Sequence, residues 1–302
     1  MAFRKIAVLG CGLIGGSFAL GLKKHGYKGE IIGWDREEVL RKAEQRGAID
    51  RGAADVAQAV AGADLIYLAT PVVLILDLLP QVGRHARPGA LVTDAGSTKV
   101  RICRLARQAL PESVLFLGGH PMAGKEVGGI KNADADLFTG AKYVVIKEAE
   151  EVGKADPSAS GLGMTEAREE FLGWVRRLGA QPVELDAETH DWAVAWVSQV
   201  PQLVSTALAG AVWDETDDDG LPLPLAGRGF REMTRLAGSP YDIWRDICLT
   251  NSENLERALE RLEARLERLR THLRSKELAE EFEKARQTYA TLNSGRGRKT
   301  DE

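Results

Sequence analysis

The sequence predicts an α/β protein: a doubly wound, mainly parallel sheet in the N-terminal part, followed by an all-α C-terminal part. Three observations carry this. From residue 4 to about 185, short β-branched or apolar runs alternate with amphipathic stretches, the order expected of a parallel sheet covered by helices. The strand candidates are apolar throughout, as in strands buried on both faces. After Asp186, a plausible helix N-cap, strand signals stop and helical periodicity takes over. The 302 residues suit two domains of ~150 residues each. They are placed at 1–185 and 186–295, with 296–302 as a flexible tail.

In chain order, strands are expected at residues 6–9, 31–34, 65–69, 91–93, 114–117 and 143–146, with helices in most of the gaps. Residues 148–164 are rich in acidic residues, Ser and Gly and read as a surface insertion. A helix over 165–178 and a short strand over 182–185 close the first part. The second part reads as a helix over about 187–212, an acidic loop over 214–224, a shorter pair through Arg231 and Trp244, and one long final helix. In that helix Leu255, Leu259, Leu262, Leu266, Leu269 and Leu273 alternate spacings of four and three, a coiled-coil seam. Such a seam predicts a homodimer contact through the C-terminal helices, symmetric dimers being the commonest oligomer.

Composition removes several function classes. With 40 Lys and Arg against 44 Asp and Glu the net charge is −4, so no overall basic field attracts nucleic acid. Three widely spaced cysteines form neither a disulfide framework nor a zinc cluster, and His25, His85, His190 and His272 lack ligand spacing, so no metal is expected. The first residues lack a signal-peptide pattern, and no run approaches the ~18 apolar residues of a membrane span. A cytoplasmic location is therefore expected.

Gly10-Cys11-Gly12-Leu13-Ile14-Gly15 follows the first strand directly and opens a helix, the context in which a G-x-G-x-x-G pattern signals a dinucleotide. Gly10 permits the tight turn, Gly12 lets backbone amides approach a pyrophosphate, and Gly15 lets helix and strand pack closely. The helix N-terminus around Leu13 and Ile14 faces the anion. Asp35, at the end of the second strand, suits the two ribose hydroxyls and repels a 2′-phosphate, favouring NAD over NADP. Arg36 beside it is a candidate to soften that preference. The first part is thus Rossmann-type.

Ala69-Thr70-Pro71, residues 93–99 with Asp94, Ser97 and Lys99, and residues 118–126 with His120 and Glu126 all follow strands. In an open α/β sheet ligands sit at that edge, so Thr70, Pro71, Ser97 and His120 are site candidates. Together with the first turn, the D-x-G-S-x-K segment and the G-G-H-P-x-A-G segment, the chain resembles the prephenate and arogenate dehydrogenases of tyrosine biosynthesis. The resemblance continues through residues 197–202, residues 230–237 and Trp244-Arg245-Asp246.

What the resemblance implies is an NAD-dependent oxidative decarboxylation. A hydride leaves the hydroxyl-bearing ring carbon, carbon dioxide departs and the ring becomes aromatic. His120 takes the hydroxyl proton as general base, a task suited to a neutral histidine. Ser97 orients the hydroxyl or the nicotinamide. Arg235 aligns with the family's substrate-binding arginine, with Arg231 a second candidate for a substrate carboxylate. Glu126 and Trp244 help close the pocket. One departure stands out: where the family commonly has S-H-x-P-H, this chain carries Gln199 and Gln202, which keep hydrogen-bonding capacity but no charge. Prephenate dehydrogenase is the leading reading and arogenate or cyclohexadienyl dehydrogenase the alternative. A β-hydroxyacid-type dehydrogenase and a non-catalytic NAD-binding relative are the remaining competitors. Residues after the seam are too few for the regulatory ACT domain that some members append, so tyrosine inhibition is expected to act at the active site.

Overall fold

The structure is a computed structural model that describes residues 3–125, 127–147 and 161–294. Residues 148–160 of the insertion expected over 148–164, Glu126 and the tail over 296–302 lie outside the described residues, and 161–164 are not insertion but the first turn of a helix.

The first strand, β1 (Lys5–Leu9), runs into helix α1 (Leu13–Lys24) through the glycine turn. There follow β2 (Glu30–Trp34), α2 (Glu37–Gln45), β3 (Arg51–Gly52), α3 (Val56–Val60), β4 (Leu65–Leu68), α4 (Val72–His85), β5 (Leu91–Asp94), α5 (Val100–Ala109) and β6 (Leu115–Leu117). These six strands form one sheet in the order β3-β2-β1-β4-β5-β6, and every pairing is parallel. The order reverses direction between β1 and β4, the switch point at which the strand ends leave a crevice. Ile6, Val8, Ile31, Leu65 and Tyr67 face one core, and Ala7, Leu9, Ile32, Ile66 and Leu68 the other. This is why the strands read as unbroken apolar runs.

A second, three-stranded sheet departs from the single sheet that the sequence predicts. Strand β7 (Gly119–Pro121) pairs antiparallel with β8 (Lys142–Ile146), and β8 pairs parallel with β9 (Gln181–Leu185). Helix α6 (Gly161–Arg177) lies between β8 and β9 in sequence. The predicted strands near 143–146 and 182–185 therefore exist but belong to a separate sheet. Its third member spans three residues and has no apolar alternation to announce it.

The helices then run as α7 (Ala187–Val194), one π-helical turn (Ala195–Gln199), α8 (Val200–Asp214), α9 (Arg228–Thr234) and α10 (Tyr241–Thr250). By contact the chain divides into two units, Met1–Ser252 and Glu253–Glu302. The change from strands to helices falls at residue 186, but the helices up to 250 pack into the first unit. The N–H of Val73, at the start of α4, donates to Asp246 Oδ2 at 3.2 Å, and the Thr98 and Thr250 hydroxyls lie 2.8 Å apart.

The second unit holds most of α11 (Ser252–Thr271) and all of α12 (Leu278–Ser294). The single long final helix expected from the leucine spacing is thus two helices. Successive turns from His272 to Glu277 break it, and Leu273, the last seam residue, is exposed in that break. Arg265 pairs with Glu281, and Leu269 faces a small cavity shared with Phe282 and Ala285, so α12 folds back on the seam. Among the described residues, no helix is long and apolar enough to cross a membrane.

Candidate active site

A cleft of 1190 Å³ opens where β1, β4 and β5 end, and its far wall is built by the π-helical turn and α10. It gathers Gly10, Gly12, Leu13, Ile14, Asp35, Arg36, Thr70 and Pro71 with Ser97, His120, Gln199 and Trp244.

At the glycine turn each position has its own physical reason. Gly10 has φ +98°, and a Cβ there would sit 2.6 Å from the Ala69 carbonyl. A Cβ on Gly15 would lie 1.9 Å from the Gly10 carbonyl oxygen and 2.9 Å from Val8 Cγ1, so Gly15 is a packing contact beneath the turn and does not line the cleft. A Cβ on Gly12 would meet nothing within 4 Å, so the α1 N-terminus is open to a ligand. Asp35 Oδ2 accepts the Cys11 N–H at 2.8 Å and Oδ1 the Arg36 N–H at 2.7 Å, which locks the carboxylate at the turn with lone pairs to spare. The buried Thr70 hydroxyl, on the cleft wall, has no hydrogen-bond partner. An open helix terminus, a fixed acid and an orphaned hydroxyl fit a dinucleotide.

His120 sits on β7, and only 7% of its surface is exposed. Its Nδ1 lies 2.8 Å from His190 Nε2, and His190 Nδ1 lies 2.8 Å from Asp191 Oδ1. The order of protons follows from chemistry. A carboxylate accepts only, so His190 Nδ1 carries a hydrogen and its Nε2 a lone pair. His120 must then donate through Nδ1, which leaves Nε2 unprotonated. Asp191 is itself fixed, accepting the Lys99 N–H at 2.6 Å on Oδ1 and the Val100 N–H at 2.9 Å on Oδ2. Burial, then the neighbouring His190 and the Lys99 cation, hold the His120 pKa well below the ordinary 6.5. The site therefore contains a neutral, tautomer-fixed base.

Beneath it lies an ion pair. Lys99 and Asp94 are fully buried and bonded to each other. Lys99 Nζ also donates to the Gly119 carbonyl at 2.7 Å, and Asp94 Oδ1 accepts the Gly119 N–H at 3.1 Å. The pair thus grips the residue that precedes His120 by both its backbone groups. Asp94 and Lys99 stand in a sequence motif that by itself gives them no task, and His190 has no ligand spacing to mark it. The signal available was adjacency: a His-Asp pair at the start of a helix.

The other candidates are placed as follows. Ser97 is half-buried and Trp244 lines the cleft beside Ile243 and Ile247. Gln199, 2% exposed, also lines the cleft; its Oε1 accepts from Asn251 Nδ2 at 2.8 Å and its Nε2 has no partner. Gln202, one turn on, does not line the cleft: its Nε2 donates to the Leu236 carbonyl at 2.8 Å and tethers the turn Arg235–Gly238. Arg235 and Arg231 are exposed and stand outside the cleft lining, because α9 and the turn after it lie on the surface. Glu126 lies outside the described residues.

Comparison with known proteins points to one family. The family model "Prephenate dehydrogenase, nucleotide-binding domain" matches residues 18–155, and "Prephenate dehydrogenase, dimerization domain" matches 186–287. The chain is 38% identical over 257 residues to a prephenate dehydrogenase of Lactococcus lactis, covering 84% of this chain and 67% of that protein. Among solved structures it superposes with TM-score 0.85 and 27% identity on the prephenate dehydrogenase of Aquifex aeolicus, in complex with hydroxyphenyl propionate and NAD+, covering 97% and 99% of the two chains. The arogenate dehydrogenase of Synechocystis matches with TM-score 0.75 and 32% identity over 96% and 99% of the two chains.

Proposed function

The chain belongs to the prephenate dehydrogenase family of oxidoreductases, and from that premise we propose that it oxidises and decarboxylates prephenate to 4-hydroxyphenylpyruvate with NAD in tyrosine biosynthesis. The observation that carries the reading is the meeting, in one cleft, of the open glycine turn with a histidine whose Nε2 is kept free of a proton. Gly10, Gly12, Leu13, Ile14, Thr70 and Pro71 would hold the dinucleotide, Asp35 would select NAD over NADP, and Arg36 lies beside the ribose position. When bound, the nicotinamide supplies the hydride acceptor.

His120 Nε2 takes the proton of the ring hydroxyl as the carbon–hydrogen bond breaks, and the positive charge passes toward His190 and the Asp191 carboxylate. Loss of carbon dioxide leaves its electron pair in the ring, which becomes a phenolate, and His120 returns the proton to that oxygen. No net proton is released. Ser97 orients the reacting hydroxyl, and Trp244 supplies an apolar wall. Arg235 is the candidate for a substrate carboxylate, held in place from Gln202 through Leu236, with Arg231 second and Glu126 closing the pocket.

Residues 1–185 would serve as the nucleotide-binding domain and 186–295 as the substrate and dimerisation domain, in keeping with the family match at 186–287. A homodimer through the C-terminal helices is supported by the exposed Leu266, Phe282, Tyr289 and Leu292. A cytoplasmic location suits the reaction. The test is the initial rate of NAD and NADP reduction by purified protein with prephenate and arogenate offered separately. Prephenate-dependent NAD reduction is expected, and failure of both acids with both cofactors would refute the reading.

A further inference from the structure

Resting on that reading, we infer that Gln199 presents the substrate's ring-borne side chain with a hydrogen-bond donor only, and so selects a 2-oxo acid over the corresponding 2-amino acid. A glutamine amide has two faces and would ordinarily serve either. Here one face is fixed. Asn251, 5% exposed, uses Nδ2 twice: it donates to the Asp191 backbone carbonyl at 2.8 Å and to Gln199 Oε1 at 2.8 Å. The backbone carbonyl settles which end of the Asn251 amide is nitrogen, and that nitrogen settles which end of Gln199 is oxygen. Turning Gln199 over would set two N–H groups against each other. Gln199 lines the cleft, and its buried Nε2 is left without a partner.

A buried donor without an acceptor is unfavourable until a ligand supplies one. A keto or carboxylate oxygen does; an ammonium brings a second donor to the same place. The surroundings point the same way. Among the described residues lining the cleft, Asp35 is the only carboxylate, and it is engaged by the glycine turn, whereas the charged side chains Arg36 and Lys125 are cations. The π-helical turn Ala195–Gln199 is what brings Val197, Ser198 and Gln199 to the wall together, since an extra residue in the turn advances the side-chain register.

The test compares kcat/KM for prephenate and arogenate in the full-length enzyme and in Gln199→Glu and Gln199→Met, with the KM for NAD as the control for an intact fold. The wild type is expected to favour prephenate by about 10-fold or more, the usual worth of one hydrogen bond to a charged or carbonyl acceptor. Gln199→Glu keeps the acceptor to Asn251 and turns a carboxylate oxygen to the cleft, so the preference should fall at least about 10-fold, by loss on prephenate and gain on arogenate. Gln199→Met, near-isosteric and without a donor, should bring the ratio toward one. An arogenate preference in the wild type, or an unchanged ratio in both variants, would overturn the inference while the dehydrogenase reading stood. Absence of turnover with either acid would overturn both.

Discussion

Removing the buried lysine of the Lys99–Asp94 pair should separate its structural work from its electrostatic work. In Lys99→Met the Asp94 carboxylate keeps the N–H groups of Gly96, at 2.8 Å, and Gly119, at 3.1 Å, but loses the cation paired with it, and the Gly119 carbonyl loses its Lys99 donor. Both side chains are fully buried, so the remaining charge has no solvent to turn to. Breaking such a pair from one side destabilises by about 3–5 kcal/mol. At about 2–4 °C per kcal/mol, the unfolding midpoint should drop by about 6–20 °C. Lys99→Met combined with Asp94→Asn removes the stranded charge and keeps an acceptor, so the double variant should recover at least about 2 kcal/mol relative to Lys99→Met. The second readout is pH. His120 must be neutral to accept a proton, so kcat/KM falls as pH drops through its pKa, which the fold holds below 6.5. The Lys99 cation is one cause of that depression, so both variants should show the acid limb moved up in pH, toward 6.5, even where stability has recovered. Thermal denaturation followed by circular dichroism and a pH series of initial rates give the two answers. Additive single-site effects on stability, or an acid limb that stays in place, would refute the reasoning.

Other substitutions probe the remaining parts. His120→Asn should fold and bind NAD while losing at least about 100-fold in kcat, since the base alone is removed; near-normal turnover would take His120 out of the mechanism. His190→Leu strands the His120 Nδ1–H and releases its tautomer, so kcat should fall about 100-fold with little change in the KM for NAD; a change confined to KM would oppose the relay. Asp35→Asn removes the charge that repels a 2′-phosphate beside the exposed Arg36, and the NADP to NAD ratio of kcat/KM should rise about 10-fold; a constant ratio would remove Asp35 from cofactor choice. Because the buried His120 stays neutral in the native state and gains a proton near pH 6.5 once unfolded, its contribution to stability is full above 6.5 and declines as pH falls below it. His120→Asn should therefore flatten the dependence of the unfolding midpoint between about pH 6.5 and 5.

What was legible from the sequence is what chemistry fixes locally. The turn from Gly10 to Gly15 is read from glycines because a Cβ would strike backbone there, and the strands are read from apolar runs because both faces of the sheet are covered. Ser97 and His120 are legible as cleft-lining residues because strand ends at a parallel sheet's carboxyl edge meet at a crevice. The leucine seam was legible as an apolar face but not as its length. The turns after Thr271 contain no glycine or proline to announce the break, and α12 returns to the seam at Leu269.

The less legible half of the site depends on pairs far apart in sequence. His120 and His190 are 70 residues apart, Lys99 and Asp191 92, and Gln199 and Asn251 52. Lys99 reads as a surface residue by type and is the most enclosed cation of the motif, since its partners Asp94 and Gly119 arrive from two different strands. These contacts share one physical logic. Asp191 accepts two backbone N–H groups at the start of α5 and thereby becomes a fixed acceptor; the fixed acceptor sets the proton on His190, and His190 sets the proton on His120. From the same residue the backbone carbonyl orients Asn251, which orients Gln199. One aspartate thus determines, through its side chain, which nitrogen of the base is free and, through its main chain, which end of the glutamine faces the cleft. The two chains of contacts meet at Asp191 but leave it through different groups, so a substitution there that spares the backbone, such as Asp191→Asn, should impair turnover while leaving the prephenate to arogenate ratio intact.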